Sequence, residues 1–142
     1  MNLAYPVDIE RDEAGFWLIR FPDLTGAATD GETLEEALAN ARDCLDEALA
    51  GYLNRHQPLP LPSEAQGRQV IAPSLLLGAK VALWSALVQN GLNASQLAER
   101  LGVDEETVWR MLDPRHRSSI GRIEQALTAL GKQLVVDVHE AA

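Results

Sequence analysis

Cysteine, long apolar runs and, in one half, basic residues are scarce in this chain of 142 residues. Cys44 is the only cysteine, so no intramolecular disulfide can form and a reducing cytoplasm is the expected location. The sequence has no run of about 18 or more apolar residues, and its N-terminus lacks the basic-then-apolar pattern of a secretory signal. We therefore expect no membrane partner. Cys44 has acidic neighbours, which favours a small buried hydrophobe over a nucleophile.

The shortage of basic residues is confined to the first half, although the formal net charge of the whole chain is −9. Residues 1–62 contain 12 acidic and four basic residues, a net charge of −8. Residues 63–73 are neutral, and residues 74–142 contain eight acidic and seven basic residues, a net charge of −1. A field of one sign attracts basic partners and repels nucleic acid. The two halves are therefore expected to have different partners.

The first half has the pattern of a small α+β unit. Apolar and polar residues alternate at period two over residues 3–12 and, more loosely, over 16–21, which predicts an antiparallel hairpin. A turn cluster then leads to a short third strand over residues 27–29. An apolar stripe at helical spacing predicts a helix over residues 34–54, with Thr33 as its capping residue and Glu36 in the capping-box position.

Four carboxylates of this unit invite an enzymatic interpretation. Asp8, Glu10 and Asp12 share one face of the first strand, and Asp23 follows the second strand; clustered carboxylates can hold Mg²⁺ for nuclease chemistry. Period-two alternation also places polar residues on the solvated face of any half-buried strand, and no His, Lys or Ser constellation accompanies them. An acidic docking surface for a protein fits the charge distribution better. We expect no catalytic residue, no metal site and no cofactor.

The chain is predicted to contain two domains. A Pro-rich linker over residues 57–73 separates residues 1–56 from residues 74–142, and its extended composition is typical of a spacer. A short apolar run near residues 69–72 is expected to add a strand to the sheet of the first domain.

The second domain contains the sequence ASQLAERLGVDEETVWRML, residues 94–112, which is typical of two helices crossing at a tight turn. Gly102 lies at the turn, where positive φ is expected. Asn93 with Gln96 predicts a capping box before the first of these helices, and Asp104 is expected to cap the second. We predict a helix-turn-helix that reads DNA; an ordinary helical hairpin is the alternative. The positions expected to supply apolar contacts are Leu97, Ala98, Leu101, Val103, Val108 and Met111.

The second of these helices begins with acidic residues, which is unusual for a unit that approaches phosphate. Acidic residues are favoured near a helix N-terminus by the macrodipole, and glutamate can also accept a hydrogen bond from cytosine N4. The nearby basic residues are the candidates for phosphate contacts: Arg110, Arg115, His116, Arg117 and Arg122. Trp109 is expected either to pack on the groove wall or to complete the core. The predicted DNA-binding residues are Gln96, Glu105, Glu106, Thr107, Trp109, Arg110, Arg115 and Arg117.

Two further features indicate self-association. A helix from Ser74 to Gln89 has a broad apolar surface, which suits burial on two sides, for example in a dimer. After a helix from Ser119 to Leu130, residues 132–138 have the composition of a strand without a local partner, and a second subunit is expected to pair with it. Dimerisation on a two-fold operator would also compensate for weak binding by one copy.

Taken together, several motifs resemble those of the HicB family of antitoxins from bacterial toxin–antitoxin pairs. The resemblance covers nearly the whole chain. Its motifs are YPV at residues 5–7, DEAGFW at 12–17, FPDL at 21–24 with Gly26, TDGETLEEA at 29–37, PLPLPS at 58–63, the helix-turn-helix sequence, and LGKQLVV at 130–136.

The resemblance implies an α+β fold with a partial RNase H-like N-terminal domain, followed by a helix-turn-helix domain with a C-terminal strand. It implies that the first domain binds and occludes a HicA-type toxin, a small basic mRNA endonuclease, and that the second represses the pair's own operon on operator DNA as a dimer or tetramer. The candidate toxin-binding residues are Asp8, Glu10, Asp12, Phe16, Trp17 and Asp23. The alternative function is a stand-alone transcription regulator whose first domain senses a small molecule.

Overall fold

The computed structural model of the chain describes residues 1–140, and its fold is mixed α+β, which confirms the predicted class. The chain divides into two compact units, Met1–Gly78 and Ala79–Ala142. Every strand that the structure describes lies in the first unit. Within residues 1–140 no single helix is long and apolar enough to cross a membrane, and only two helices counted together across a sharp bend reach that length.

Five short strands form two antiparallel sheets in the first unit. The strands are β1 (Tyr5–Pro6), β2 (Asp8–Arg11), β3 (Trp17–Arg20), β4 (Ala28–Gly31) and β5 (Val70–Ile71). The larger sheet has the order β2-β3-β4, and β1 pairs with β5. The strand expected near residues 69–72 is therefore present, but it pairs with β1 in a separate two-stranded sheet and does not join the larger one.

The predicted first strand is divided in two because the chain changes partners at Val7. Tyr5 lies opposite Ile71, whereas Asp8 lies opposite Arg20. Between these pairs the Val7 amide donates to the Gln69 carbonyl over 2.9 Å. Period-two alternation identified the extended backbone, but it carries no information about which strand is paired.

The helix α1 (Leu34–Asn54) covers the three-stranded sheet and buries the predicted apolar stripe. The Thr33 hydroxyl accepts from the Glu36 amide over 3.1 Å, as the capping prediction requires. The start of α1 lies very close to β4, because a Cβ on Gly31 would be 2.5 Å from the Ala37 nitrogen. Only glycine fits at this position without a backbone shift. The buried apolar side chains of the unit are Tyr5, Val7, Ile19, Phe21, Leu24, Ala37, Ala41, Leu45, Leu49, Leu53, Ile71 and Leu77.

The Pro-rich tract is held to the first unit by two polar contacts. The Tyr5 hydroxyl, fully buried, donates to the Pro60 carbonyl over 2.8 Å. The Asp23 carboxylate accepts from the amide and the hydroxyl of Ser63 over 2.9 and 3.0 Å. Burial raises the pKa of Tyr5 to about 12, with further contributions from Asp23 and Tyr52.

Four helices follow the tract: α2 (Leu75–Gln89), α3 (Ala94–Leu101), α4 (Glu105–Leu112) and α5 (Ile120–Ala129). In the second unit they enclose a small apolar core in which α3 packs against both α4 and α5. Much of the broad apolar surface predicted for α2 is buried within the single chain, and Val88 is 42% exposed. The buried apolar side chains of this unit are Ala79, Val81, Leu83, Ala86, Leu87, Ala94, Leu97, Ala98, Val108, Met111, Leu112, Ile123, Ala126, Leu127 and Leu130.

A single chain does not test the strand expected over residues 132–138, which was assigned a partner in a second subunit, whereas the expectation for Val103 was wrong. Residues 132–140 form no strand, and the side chains of Val135, Val136 and Val138 are 73%, 59% and 88% exposed. A strand needs a neighbouring backbone, and among residues 79–140 no other strand exists to provide one. Val103 was expected to contribute to the helix crossing, but its side chain is 39% exposed and lies outside the core.

Candidate functional site

Two surfaces contain the candidate binding residues, an acidic surface on the first unit and the α3–α4 region of the second. On the first, Asp8 and Glu10 lie on the same exposed face of β2. Each faces one arginine at 3.6 Å, Arg68 for Asp8 and Arg20 for Glu10. These ion pairs are weak because the side chains of Asp8 and Glu10 are more than half exposed to solvent. Both carboxylates are therefore available to a partner.

The other two carboxylates of the candidate set are engaged in local structure. Asp12 accepts from the Phe16 amide over 2.8 Å and closes the hairpin between β2 and β3. Asp23 is half-buried and its carboxylate is bound to Ser63. The four carboxylates are therefore not gathered around one point. Among residues 1–140, no three His, Cys, Asp or Glu side chains are placed to hold a metal ion.

The aromatic candidates Phe16 and Trp17 are half-buried at the hairpin end of the sheet. The Arg11 guanidinium lies 5.2 Å from the centre of the Trp17 ring, in a cation–π contact across the strand pair. The same guanidinium donates to the Gly15 carbonyl over 3.3 Å. One face of Trp17 is therefore covered by a positive group, which makes it a less open apolar contact than its sequence position indicated.

An acidic stripe on α1 was not among the candidate residues. Glu35, Glu36, Asp43 and Glu47, which we call the α1 acidic face, are exposed at helical spacing on this helix. Within the described part of the chain none of these carboxylates takes part in an ion pair. Two features of the sequence could have identified this face: the negative charge of the first half and the helical periodicity of residues 34–54.

Cys44 lies on the same helix and is unsuited to nucleophilic chemistry. Its thiol is half-buried and donates to the Ala28 carbonyl over 3.7 Å. Burial raises the pKa of the thiol, and the charge of Glu47 raises it further. The thiol is therefore held in its neutral form, as expected for a structural cysteine.

In the second unit, local hydrogen bonds determine the geometry of the α3–α4 turn. Gly102 ends α3 with φ of +68°, as predicted for the turn. The Val103 amide donates to the Ala98 carbonyl over 3.1 Å, which closes the end of α3. The capping box at the start of α3 is complete, because the Asn93 and Gln96 side chains accept from each other's amides over 2.8 and 2.9 Å. The carbonyl oxygen of Gln96 is thus engaged within the helix.

The three consecutive acids at the start of α4 have distinct roles. Asp104 caps the helix, accepting from the amide and the hydroxyl of Thr107 over 2.8 and 2.6 Å. These hydrogen bonds lower the pKa of Asp104, and Thr107 is correspondingly turned towards its cap. The other two acids, Glu105 and Glu106, are exposed and belong to the outer face of the helix.

On that outer face the acids pair with the DNA-binding candidates one turn later. The Glu106 carboxylate lies 2.7 Å from the Arg110 guanidinium, and Trp109 Nε1 donates to Glu105 over 3.3 Å. Both are pairs of residues four apart, the spacing that brings side chains together on a helix. Arg110 therefore points outwards, but with a negative group beside it.

The loop after α4 carries the remaining arginine candidates. Arg115 and Arg117 are exposed, and the Arg115 guanidinium lies 3.5 Å from Asp113. The backbone hydrogen bond from Arg115 is the main cause that lowers the pKa of Asp113. The structure thus places Glu105, Glu106, Trp109 and Arg110 on one helix face and both loop arginines on the surface that follows, while Gln96 and Thr107 serve as capping partners.

The sequence is similar to a group of related proteins over nearly its whole length. A family model described as the HicB-like antitoxin of bacterial toxin–antitoxin systems matches residues 4–82. Antitoxin HicB 2 of Photorhabdus laumondii is 38% identical over 94% of both chains. Antitoxin HicB 1 of the same organism is 34% identical over 97% of this chain and 88% of its own. Antitoxin HicB of Escherichia coli K12 is 32% identical over 93% of this chain and 96% of its own.

Proposed function

The chain belongs to the HicB-like family of antitoxins of bacterial toxin–antitoxin systems, and we propose that its two units divide the work of an antitoxin between them. In this proposal residues 1–56, with the strand at Val70–Ile71, bind and occlude the toxin. Residues 74–142 form a helix-turn-helix domain that binds operator DNA and represses the toxin–antitoxin operon. The Pro-rich residues 57–73 connect the two.

The toxin expected from this charge distribution is a small basic ribonuclease of the HicA type. Residues 1–62 have a net charge of −8, and the exposed carboxylates of β2 and the α1 acidic face contribute much of it. A surface of one sign increases the rate at which an oppositely charged protein associates. The chain would act by covering the toxin, without catalysis of its own.

The DNA-binding half of the proposal is supported by the geometry of α3 and α4. The crossing helices expose Trp109 and Arg110 on α4, and Arg115 and Arg117 directly after it. Arginines around a helix are the usual phosphate contacts of such a unit. The net charge of this half is only −1, so nucleic acid is not repelled as it would be by the first half.

Self-association would complete the operator-binding form. The exposed valines of residues 135–138 have the composition of an edge strand, and a second copy of the chain would supply the backbone that the single chain lacks. A dimer would present two α4 helices to the two halves of an operator, and a tetramer would be a pair of such dimers.

The observation that carries the proposal is the segregation of charge between the units, and a purification experiment tests it. The tagged chain is purified from its host, and any stoichiometric small basic protein is identified by mass spectrometry. Release of that protein at high denaturant, followed by refolding, is expected to yield ribonuclease activity that the added chain abolishes. A chain purified without such a partner would contradict the antitoxin role and favour a regulator that senses a small molecule.

Two sets of variants separate the units. Replacing Glu36, Asp43 and Glu47 by lysine should abolish toxin binding and leave DNA binding intact. Arg110→Ala should weaken DNA binding, because the charge of Glu106 beside it is then uncompensated, and should leave toxin binding intact. Glu124→Lys, which changes one exposed charge on α5 of the second unit, is the control for the first set and should leave toxin binding unchanged. Loss of both activities in either set would contradict the proposed division between units.

A further inference from the structure

The most unusual side chain in the second unit is a lysine with almost no access to solvent. Lys80, on α2, is 1% exposed. A lysine is rarely buried to this extent unless its ammonium group finds polar partners. Neither toxin binding nor direct contact with DNA accounts for a buried lysine, so its position requires a separate explanation.

The ammonium group of Lys80 is surrounded by oxygens from the end of α4 and the loop that follows. It donates to the carbonyls of Asp113 and His116 over 2.6 and 2.7 Å, and to the Ser118 hydroxyl over 2.9 Å. A fourth oxygen, the Arg110 carbonyl, lies at 3.2 Å. An ammonium group has three hydrogens, so these contacts use its full donor capacity. It has no donor left for a phosphate group.

All four of these oxygens also take part in hydrogen bonds that shape the loop. The Asp113 carbonyl accepts from the His116 amide over 3.1 Å, and the His116 carbonyl accepts from the Ser118 amide over 3.0 Å. The Arg110 carbonyl accepts from the Ser118 hydroxyl over 3.2 Å. Successive carbonyls therefore converge on one point, and a positive charge at that point removes the repulsion between them.

The position is also favourable for a cation on electrostatic grounds. The last carbonyls of a helix carry partial negative charge and need partners, and a lysine side chain can provide both charge and hydrogen bonds. Burial lowers the pKa of Lys80, and the charge of Asp113 opposes this effect. The cost of burying the ammonium is thus offset by the oxygens around it.

We propose that Lys80 is a positioning residue for DNA binding, which fixes the 113–118 loop so that Arg115 and Arg117 are held in place for phosphate contacts. Asp113 links Lys80 directly to Arg115. The Asp113 carbonyl accepts from the Lys80 ammonium group, and the Asp113 carboxylate accepts from the Arg115 amide over 2.9 Å. This inference rests on the DNA-binding half of the proposed function. Lys80 itself does not contact DNA.

The test is a double-mutant cycle on DNA binding with the full-length chain. Lys80→Met keeps the length of the side chain and removes its charge and donors. Binding to a duplex from the promoter region of the chain's own gene is measured by fluorescence anisotropy over a range of salt concentrations. Because Arg115 and Arg117 would no longer be held against two phosphates, the slope of log affinity against log salt should become shallower by roughly 1.8, and affinity at low salt should fall about tenfold or more.

The cycle distinguishes positioning from general damage to the fold. In the Arg115→Ala, Arg117→Ala background, Lys80→Met should cause no further loss of affinity, because the arginines that it positions are already absent. An equal loss in both backgrounds would overturn the proposal. Lys132→Met, which removes one exposed positive charge from the same unit, is the matched control and should change the slope by about 0.9 at most.

Amide hydrogen exchange provides a readout that does not depend on DNA. In the Lys80→Met variant the His116 and Ser118 amides should exchange faster, while the amides of α3 should be unaffected. If Lys80→Met fails to fold, Ser118→Ala is used instead, because it removes one acceptor and retains the charge of Lys80. It should cause smaller changes of the same kind in amide exchange and in the salt dependence. A folded variant with unchanged exchange and unchanged slope would refute the positioning role. A wild-type chain that does not bind the duplex would instead refute the proposed function, while the exchange experiment would still test the ordering of the loop.

Discussion

Replacing Glu106 by glutamine is expected to strengthen DNA binding, although it removes the shortest ion pair in the second unit that the structure describes. The Glu106 carboxylate lies 2.7 Å from the Arg110 guanidinium, and the two side chains are 70% and 54% exposed. An exposed pair of this spacing stabilises a helix by only about 0.3–0.5 kcal/mol. The free energy of unfolding should therefore change little.

The effect on DNA binding is larger because two electrostatic consequences act in the same direction. At about 7 Å in water, two unit charges interact by roughly 0.6 kcal/mol, so removing the repulsion between Glu106 and one phosphate gives about a threefold gain in affinity. Arg110 is also released for a phosphate contact of its own, which should steepen the dependence of log affinity on log salt by about 0.9. Anisotropy titrations with a promoter duplex at several salt concentrations measure both quantities.

The matched control for Glu106→Gln is Glu124→Gln. Glu124→Gln makes the same change in net charge on α5, without an arginine partner, and should change affinity and slope by less than Glu106→Gln does. If Glu106→Gln binds more weakly than the wild type, Glu106 contacts a base as an acceptor, and the reasoning from repulsion is wrong. Unchanged affinity and slope would show that this face of α4 does not meet the phosphate backbone.

Three further changes test the fold around the sites. Gly31→Ala should destabilise the first unit by about 1–3 kcal/mol in chemical denaturation, because its Cβ would lie 2.5 Å from the Ala37 nitrogen. Tyr5 has a pKa raised from 10.0 to about 12, so the stability that its neutral form contributes is complete below pH 10 and is lost as the pH rises through 12. The free energy of unfolding, measured against pH, should fall by roughly 2–3 kcal/mol over this range. Tyr5→Phe should not show this fall. Hydrogen bonds from Thr107 hold the pKa of Asp104 below its ordinary value of 3.8, so its contribution to stability is present above pH 3.8 and is lost as the pH falls through the folded-state pKa. Asp104→Asn retains the cap but does not titrate. Its unfolding by acid, followed by circular dichroism, should therefore depend less on pH than that of the wild type.

The features that were predictable from the sequence are those whose causes lie within a few residues. Thr33, Asn93 and Asp104 cap their helices as predicted, because a capping side chain reaches an amide only three residues away. Gly102 adopts the positive φ expected at a helix end. In each case the local sequence contains both the donor and the acceptor.

The features that were not predictable depend on distant parts of the chain. Lys80 finds its acceptors between 30 and 38 residues later, at positions whose carbonyls have no sequence signature. Asp23 appeared to be a free surface carboxylate, yet it binds Ser63, 40 residues away. The strand expected over residues 132–138 remains a prediction, because it needs the backbone of a second subunit and a single chain does not provide one.

The pairing of β1 with β5 has a consequence for how the first unit is made. Tyr5 is synthesised before both of its partners: the Pro60 carbonyl, which accepts from its hydroxyl, lies 55 residues later, and its strand partner, Ile71, lies later still. A nascent chain that has emerged only as far as α1 can form the β2–β3–β4 sheet but leaves β1 unpaired and the tyrosine hydroxyl without its acceptor. Completion of the unit therefore waits for translation beyond Ile71, and contacts of such long range form slowly because the intervening chain must first be ordered.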